Sequence, residues 1–114
     1  MSTEKQLARK YDEGKPRFDL IPAQPLWEIA EVLTISGECK YTPRDWEKGI
    51  RWRKVFSSIM RHLYRWFQGE DMDSDTGKSH LAHAVAQILF LMEFSRTHKE
   101  LDDRIVVMEE RKYE

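Results

Sequence analysis

The stretch Trp52-Arg-Lys-Val-Phe-Ser-Ser-Ile-Met-Arg-His-Leu-Tyr-Arg-Trp-Phe67 decides the fold class. Trp52, Val55, Phe56, Ile59, Met60, Leu63 and Phe67 follow a three-four spacing, which on a 3.6-residue helix makes one continuous apolar stripe. Gly69 ends it. Downstream, the acidic loop Glu70 to Gly77 leads to Ser79, a side chain suited to cap a helix N-terminus, and the pattern from His80 to Ser95 predicts that helix. Leu81, Ala84, Val85, Ile88, Leu89 and Met92 share one of its faces, and Leu91 and Phe94 another. A helix apolar on nearly all sides is expected at the centre of a bundle or in a subunit interface. Upstream, Leu26 to about Ser36 reads as a helix with Leu26, Ile29, Ala30 and Leu33 on one side, Glu28 and Glu31 opposite, and Gly37 as its stop. Before it, Pro16, Pro22, Pro25 and Gly14 favour an extended arm. After Lys99 the chain is highly charged except at Ile105 to Met108, which reads equally as a short strand or a last helical turn.

The expected architecture is therefore all-α: a small bundle of three main helices with an extended N-terminal arm, completed by oligomerisation because three amphipathic helices make a thin core. It divides into an arm at 1–25, a helical core at 26–98 and a charged tail at 99–114. A chain of 114 residues fits one domain and buries roughly two thirds of its unfolded surface. With 19 Lys and Arg against 20 Asp and Glu, it has no global basic field of the kind that drives binding to a nucleic-acid polymer. Cys39 is the one cysteine, so an intramolecular disulfide and a thiolate zinc site are excluded and a reducing compartment is expected. No apolar run approaches the ~20 residues that span a bilayer, and Met1 to Lys10 lacks the apolar stretch of a signal peptide. A soluble, cytoplasmic protein follows as the expectation.

The densest polar constellation is His62, Glu70, Asp71, Asp73, Asp75, His80 and His83. Imidazoles and carboxylates are the ligands of divalent metals such as Mg, Mn and Zn, and a helix-loop-helix gathers them at one end of a bundle. An EF-hand is not the reading: Thr76 stands where the calcium loop needs glycine and Ala82 where it needs glutamate. The structural alternative is a solvated acidic turn capping the next helix. His83 lies one helical step from His80, and Gln87 continues the polar strip, so metal, another histidine or a ligand has to partner it. Glu28 and Glu31 at i and i+3 form a second candidate metal pair, against an ordinary solvent face. Lys15 and Arg17 in the arm, and Lys40 with Arg44 before Trp46, are candidates for phosphate contact, with Trp46 for base stacking.

The strings Lys10-Tyr-Asp-Glu-Gly-Lys-Pro-Arg-Phe-Asp-Leu-Ile-Pro22, Lys40-Tyr41, Asp45-Trp-Glu-Lys-Gly49, Arg61-His-Leu63, Gly69-Glu-Asp71, Ser79-His-Leu-Ala-His-Ala84 and Leu101-Asp-Asp-Arg104 resemble, in this order, the phage-encoded dATP/dGTP diphosphohydrolase N-terminal domain family. That family is associated with MazG-like, all-α nucleotide pyrophosphohydrolases. The resemblance implies cleavage of dGTP, and of dATP, between the α and β phosphates, in the host cytoplasm. MazG-like enzymes hold magnesium with Glu-x-x-Glu on one helix and Glu-x-x-Asp on a later one. Here Glu28 and Glu31 match the first pair, whereas His80-x-x-His83 stands in place of the second, and Asp45 stands where related sequences more often have asparagine.

On this reading the substrate is a purine deoxynucleoside triphosphate and the cofactor Mg or Mn. Glu28, Glu31, Asp71, His80 and His83 are the metal candidates, Glu70 is the general base, and Lys15, Arg17, Lys40, Trp46 and His62 contact substrate. A rival from another class is a non-catalytic protein that sequesters a nucleotide with the same arm and aromatics. A third is a structural helical adaptor.

Overall fold

The computed structural model describes residues 6–39 and 42–111, the last turn of the first helix (36–39) by its backbone alone. Four α-helices follow in order: α1 (Ala23–Cys39), α2 (Trp52–Phe67), α3 (His80–Thr97) and α4 (Ile105–Arg111). Short 3-10 turns occur at Phe18–Leu20, Asp45–Lys48 and Lys99–Leu101. Among the described residues there is no β-strand, only a single antiparallel bridge between Met72 and Ser79. The chain is all-α, as its periodicity predicts, and among the described residues no helix is long and apolar enough to cross a membrane.

Local chemistry accounts for most helix ends. The Ser79 hydroxyl accepts hydrogen bonds from the Leu81 and Ala82 N–H groups and so caps α3. Gly69, at φ 101°, turns the chain after α2. Two ends differ from the sequence expectation. α1 starts at Ala23, because Pro25 falls in its first turn, where the missing N–H would have had no intrahelical partner. It also continues through Gly37 to Cys39, since a glycine inside a helix costs only about 1 kcal/mol. The Ile105–Met108 segment is helical, within α4.

α3 is central, packing against α2 on one side and α1 on the other. Trp52, Val55 and Ile59 of α2 meet Ala84 and Phe94 of α3, with Trp46, Leu63, Phe90, Leu91 and Leu101 around them. Phe94 is fully buried, a contribution of roughly 1.5–3 kcal/mol. A smaller cluster joins Val32 of α1 to Ala82 and Ala86. Central placement was expected, but the inward face of α3 was not. Leu81, Val85, Ile88, Leu89 and Met92 are exposed, whereas Ala82, His83, Ala84, Ala86 and Phe94 point inward. Alanines let α1 and α2 approach closely, and that approach leaves no room for the branched side chains. The α2 stripe is likewise divided, with Phe56, Met60 and Phe67 left exposed, as are Leu26 and Trp27 on α1. Residues 6–22 are exposed throughout, and the radius of gyration is 19.5 Å against about 13 Å for a compact chain of this length, because the arm projects.

Candidate functional site: an imidazole and carboxylate cavity

His62 sits on the third turn of α2, and His80 is the first residue of α3. The loop between these helices is folded tightly enough to place a carboxylate beside both. Asp73 Oδ1 accepts hydrogen bonds from Asp75 N (2.8 Å) and Thr76 N (3.0 Å), while the His80 N–H donates to the Asp71 carbonyl (2.9 Å). Asx turns of this kind are what an Asp-x-Asp-Thr-Gly run favours. The other Asp73 oxygen lies 3.9 Å from His62 Nδ1, and His62 Nδ1 lies 2.9 Å from His80 Nδ1. One donor atom from each of His62, Asp73 and His80 falls within 4.8 Å of the others.

Neighbours hold the rings in place. His80, almost fully buried, has its Nε2 2.8 Å from Glu70 Oε2. The His62 ring stacks on His83 at 4.6 Å and 5°, and His83 Nε2 is 2.7 Å from the Thr76 hydroxyl. Burial first, then the nearby imidazoles, push the His62 pKa below the ordinary value, and burial does the same to His83. For Asp73, burial works upward but the Thr76 and Asp75 N–H bonds and the adjacent imidazoles outweigh it, holding the carboxyl below its usual range. These shifts favour neutral His62 and His83 rings, each with one unprotonated nitrogen, beside an ionised Asp73 carboxylate.

These residues line a cavity of about 600 Å³ together with Arg61 and Arg65, one turn apart on α2. A second cavity of about 550 Å³ adjoins it, lined by Val32, Leu33, Trp46, Phe90 and Lys54 among others. Ser58, Arg61, His83 and Gln87 belong to both walls.

Of the residues singled out in the sequence, the fold thus gathers His62, Glu70, His80 and His83 in one cavity and puts Trp46 in the next. Trp46 also stacks on Phe90 at 4.5 Å, so one face of it serves the core. Asp71 is exposed and lines neither cavity; its carbonyl, rather than its carboxylate, joins the loop. Glu31 pairs with Lys78 at 2.9 Å, and neither it nor Glu28 lines either cavity. Lys15 and Arg17 are on the exposed arm, Arg17 paired with Asp19. Lys40 lies outside the described residues. Asp73 belongs to the polar constellation read from the sequence but not to its chosen metal candidates, Arg61 enters only within the Arg61-His-Leu63 string, and Thr76 and Arg65 have no site role there. The Asx-turn run was the available signal for Asp73 and Thr76, and the Arg-His-x-x-Arg spacing on a helix for Arg61 and Arg65.

The donor set tests the metal. Two imidazole nitrogens and one carboxylate oxygen suit first-row transition ions, whereas magnesium prefers an all-oxygen shell.

The family model described as dATP/dGTP diphosphohydrolase, N-terminal, matches residues 5–104. The chain belongs to this family. A protein of Salmonella phage PMBT28 named dATP/dGTP diphosphohydrolase is 33% identical over 95 residues, which are 83% of this chain and 32% of that relative. The chain thus spans about a third of the relative's length. No solved structure matches.

Five of the strings that carry the resemblance fall into two physical groups, while Lys10 to Pro22 lies on the exposed arm and Lys40-Tyr41 outside the described residues. Arg61-His-Leu63, Gly69-Glu-Asp71 and Ser79-His-Leu-Ala-His-Ala84 lie at or around the imidazole cavity. Asp45-Trp-Glu-Lys-Gly49 and Leu101-Asp-Asp-Arg104 instead build a brace. His98 Nε2 bonds the Glu47 carbonyl (2.8 Å), Gly49 packs on Leu101 and His98, and Asp103 Oδ1 accepts the Arg53 N–H (2.8 Å), capping α2 from 50 residues away. Arg104, paired with Asp102, lies 5.0 Å over the Trp52 ring.

Proposed function

We propose that this chain binds a purine deoxynucleoside triphosphate across the two adjoining cavities and hydrolyses it to the monophosphate and pyrophosphate with the help of a divalent metal, Mg or Mn. The observation that carries the reading is the shared wall of Ser58, Arg61, His83 and Gln87 between an aromatic and aliphatic chamber and an imidazole and carboxylate chamber. A nucleotide has the same two halves, an apolar stackable base and a polyanion that needs cations. Arg61, on both walls, meets the phosphate chain where it leaves the sugar, and Arg65 the charge further along.

Hydrolysis adds a water oxygen to the α phosphorus and breaks the bond to the α–β bridging oxygen, so pyrophosphate leaves with the electron pair. Arg61 and Arg65 neutralise that leaving group, in place of the exposed Lys15 and Arg17. Glu70, its side chain 42% exposed in the cavity, accepts the proton from water. The metal supplies Lewis-acid polarisation of phosphate oxygens. The exposed apolar faces of α2 and α3 favour a homo-oligomer.

Incubation with each deoxynucleoside triphosphate and Mg or Mn, followed by chromatography, tests the reading. Monophosphate plus pyrophosphate is expected, with at least a tenfold loss in Arg61→Met. Release of inorganic phosphate and a diphosphate would overturn it. Recovery of tightly bound, intact nucleotide would favour the sequestering protein, and would place the chemistry named for the phage relative in the part that this chain does not match.

A further inference from the structure

We infer that His62, Asp73 and His80 form a centre for a borderline divalent metal ion (Fe, Co or Zn) rather than for magnesium, and that Glu70 positions His80 for it. The inference stands on donor geometry and does not depend on hydrolysis.

Glu70 Oε2, 2.8 Å from His80 Nε2, accepts a hydrogen bond, so Nε2 carries the proton and neutral His80 keeps its lone pair on Nδ1. That lone pair lies 2.9 Å from His62 Nδ1, which in the metal-free protein carries a proton and donates it to His80, and an Asp73 oxygen lies 3.9 Å from the same His62 atom. Three ligand atoms thus converge from α2, α3 and the loop between them, and an ion bound there would displace the single proton shared by the two imidazoles, moving His62 to its Nε2–H tautomer. A carboxylate bonded to the far nitrogen of a ring is the arrangement that orients metal-binding histidines and raises their basicity.

The surroundings are built to keep this geometry. The His62 ring is clamped flat against His83, and Asp73 is tied by its other oxygen to the backbone of its own turn. Its free oxygen is therefore the one turned toward the imidazoles. Arg61 and Arg65 line the same cavity, so an ion there would share the chamber with an anionic ligand. Asp71 takes no part, and Glu31 is held by Lys78. Two nitrogens in a set of three donors disfavour magnesium, which enters only as the counter-ion of a triphosphate substrate.

Calorimetry on the full chain, stripped with chelator and titrated with Co, Zn, Mn and Mg, reads the centre directly. One equivalent of Co or Zn is expected to bind at least 100-fold more tightly than Mg, with millimolar Mg failing to displace it. His62→Gln should lose at least 100-fold in Co affinity, and Glu70→Gln about 10- to 100-fold with an unchanged melting temperature, while Asp71→Asn should match wild type. Should the histidine variants not fold, X-ray absorption of the zinc-loaded wild type decides, with two imidazole ligands expected. Equal affinity for Co and Mg, retained Co binding in folded His62→Gln, or fewer than two imidazoles on zinc would each reduce the cluster to a hydrogen-bonded pair of histidines and overturn the inference.

Discussion

Gly49→Ala should destabilise the protein by about 2 kcal/mol, and the source of that loss can be worked out in advance. Gly49 has φ 99° and ψ 147°, a region essentially closed to residues with a Cβ, and forcing alanine there costs of order 1–3 kcal/mol. A Cβ would also lie 2.6 Å from Leu101 Cδ1 and 3.1 Å from His98 Nδ1. The leucine methyl is the end of a flexible side chain and can swing aside, so backbone strain is the larger part. For a domain near this size 1 kcal/mol is worth roughly 4–8 °C, so the melting temperature should fall by about 8 °C or more. The assay is thermal and urea unfolding of Gly49→Ala, Leu101→Ala and the double variant. If strain dominates, Gly49→Ala costs nearly the same with Leu101 trimmed as with it present, and the losses add within about 0.5 kcal/mol. A double variant no less stable than Leu101→Ala alone would put the cost in the methyl contact, and a single variant within about 0.5 kcal/mol of wild type would refute the corner itself.

Asp73→Ala should remove both the loop's turn and a ligand to the cavity, losing about 1–2 kcal/mol and at least tenfold in metal or nucleotide affinity, whereas Asp71→Ala, with an exposed side chain, should stay within about 0.5 kcal/mol. Unfolding and calorimetry of the pair check this, and equal effects would contradict the placement of Asp73. Sedimentation at micromolar concentration should find at least a dimer, since Phe56, Phe67 and Met92 are each more than half exposed; a clean monomer would remove that expectation. His98 titrates above its ordinary value, first because of its bond to Glu100 and then because of the Glu47 carbonyl. Its charged form is favoured in the fold, so this contribution is complete below about pH 6.5 and is lost as pH rises through the raised folded value. The melting-temperature gap between wild type and His98→Gln should accordingly narrow from pH 6 to pH 8.5, and a gap that widens would refute the assignment.

What the sequence determines here is what sequence-local energies control. Helix class follows from spacing, the α3 start from the Ser79 hydroxyl reaching N–H groups two and three residues on, and the α2 end from Gly69, all within one turn of chain. The polar constellation between His62 and His83 was also legible, and the fold gathers His62, Glu70, Asp73, His80 and His83 on one cavity wall. Which side of α3 is inward was not legible, because its leucines and its alanines both keep helical spacing, and only the distance at which α1 and α2 approach decides between them. Which carboxylate joins the histidines was not legible either. Asp71 and Asp73 are two residues apart and alike in chemistry, but the turn uses the carbonyl of one and aims the carboxylate of the other. Glu31 reads as a metal ligand by its spacing and meets Lys78 only because α1 packs across α3, 47 residues away in the chain. Ligand sets form at distances of about 2–5 Å between side chains from different elements, so tertiary packing, which fixes the rotation and offset of whole helices, alone selected His62, Asp73 and His80.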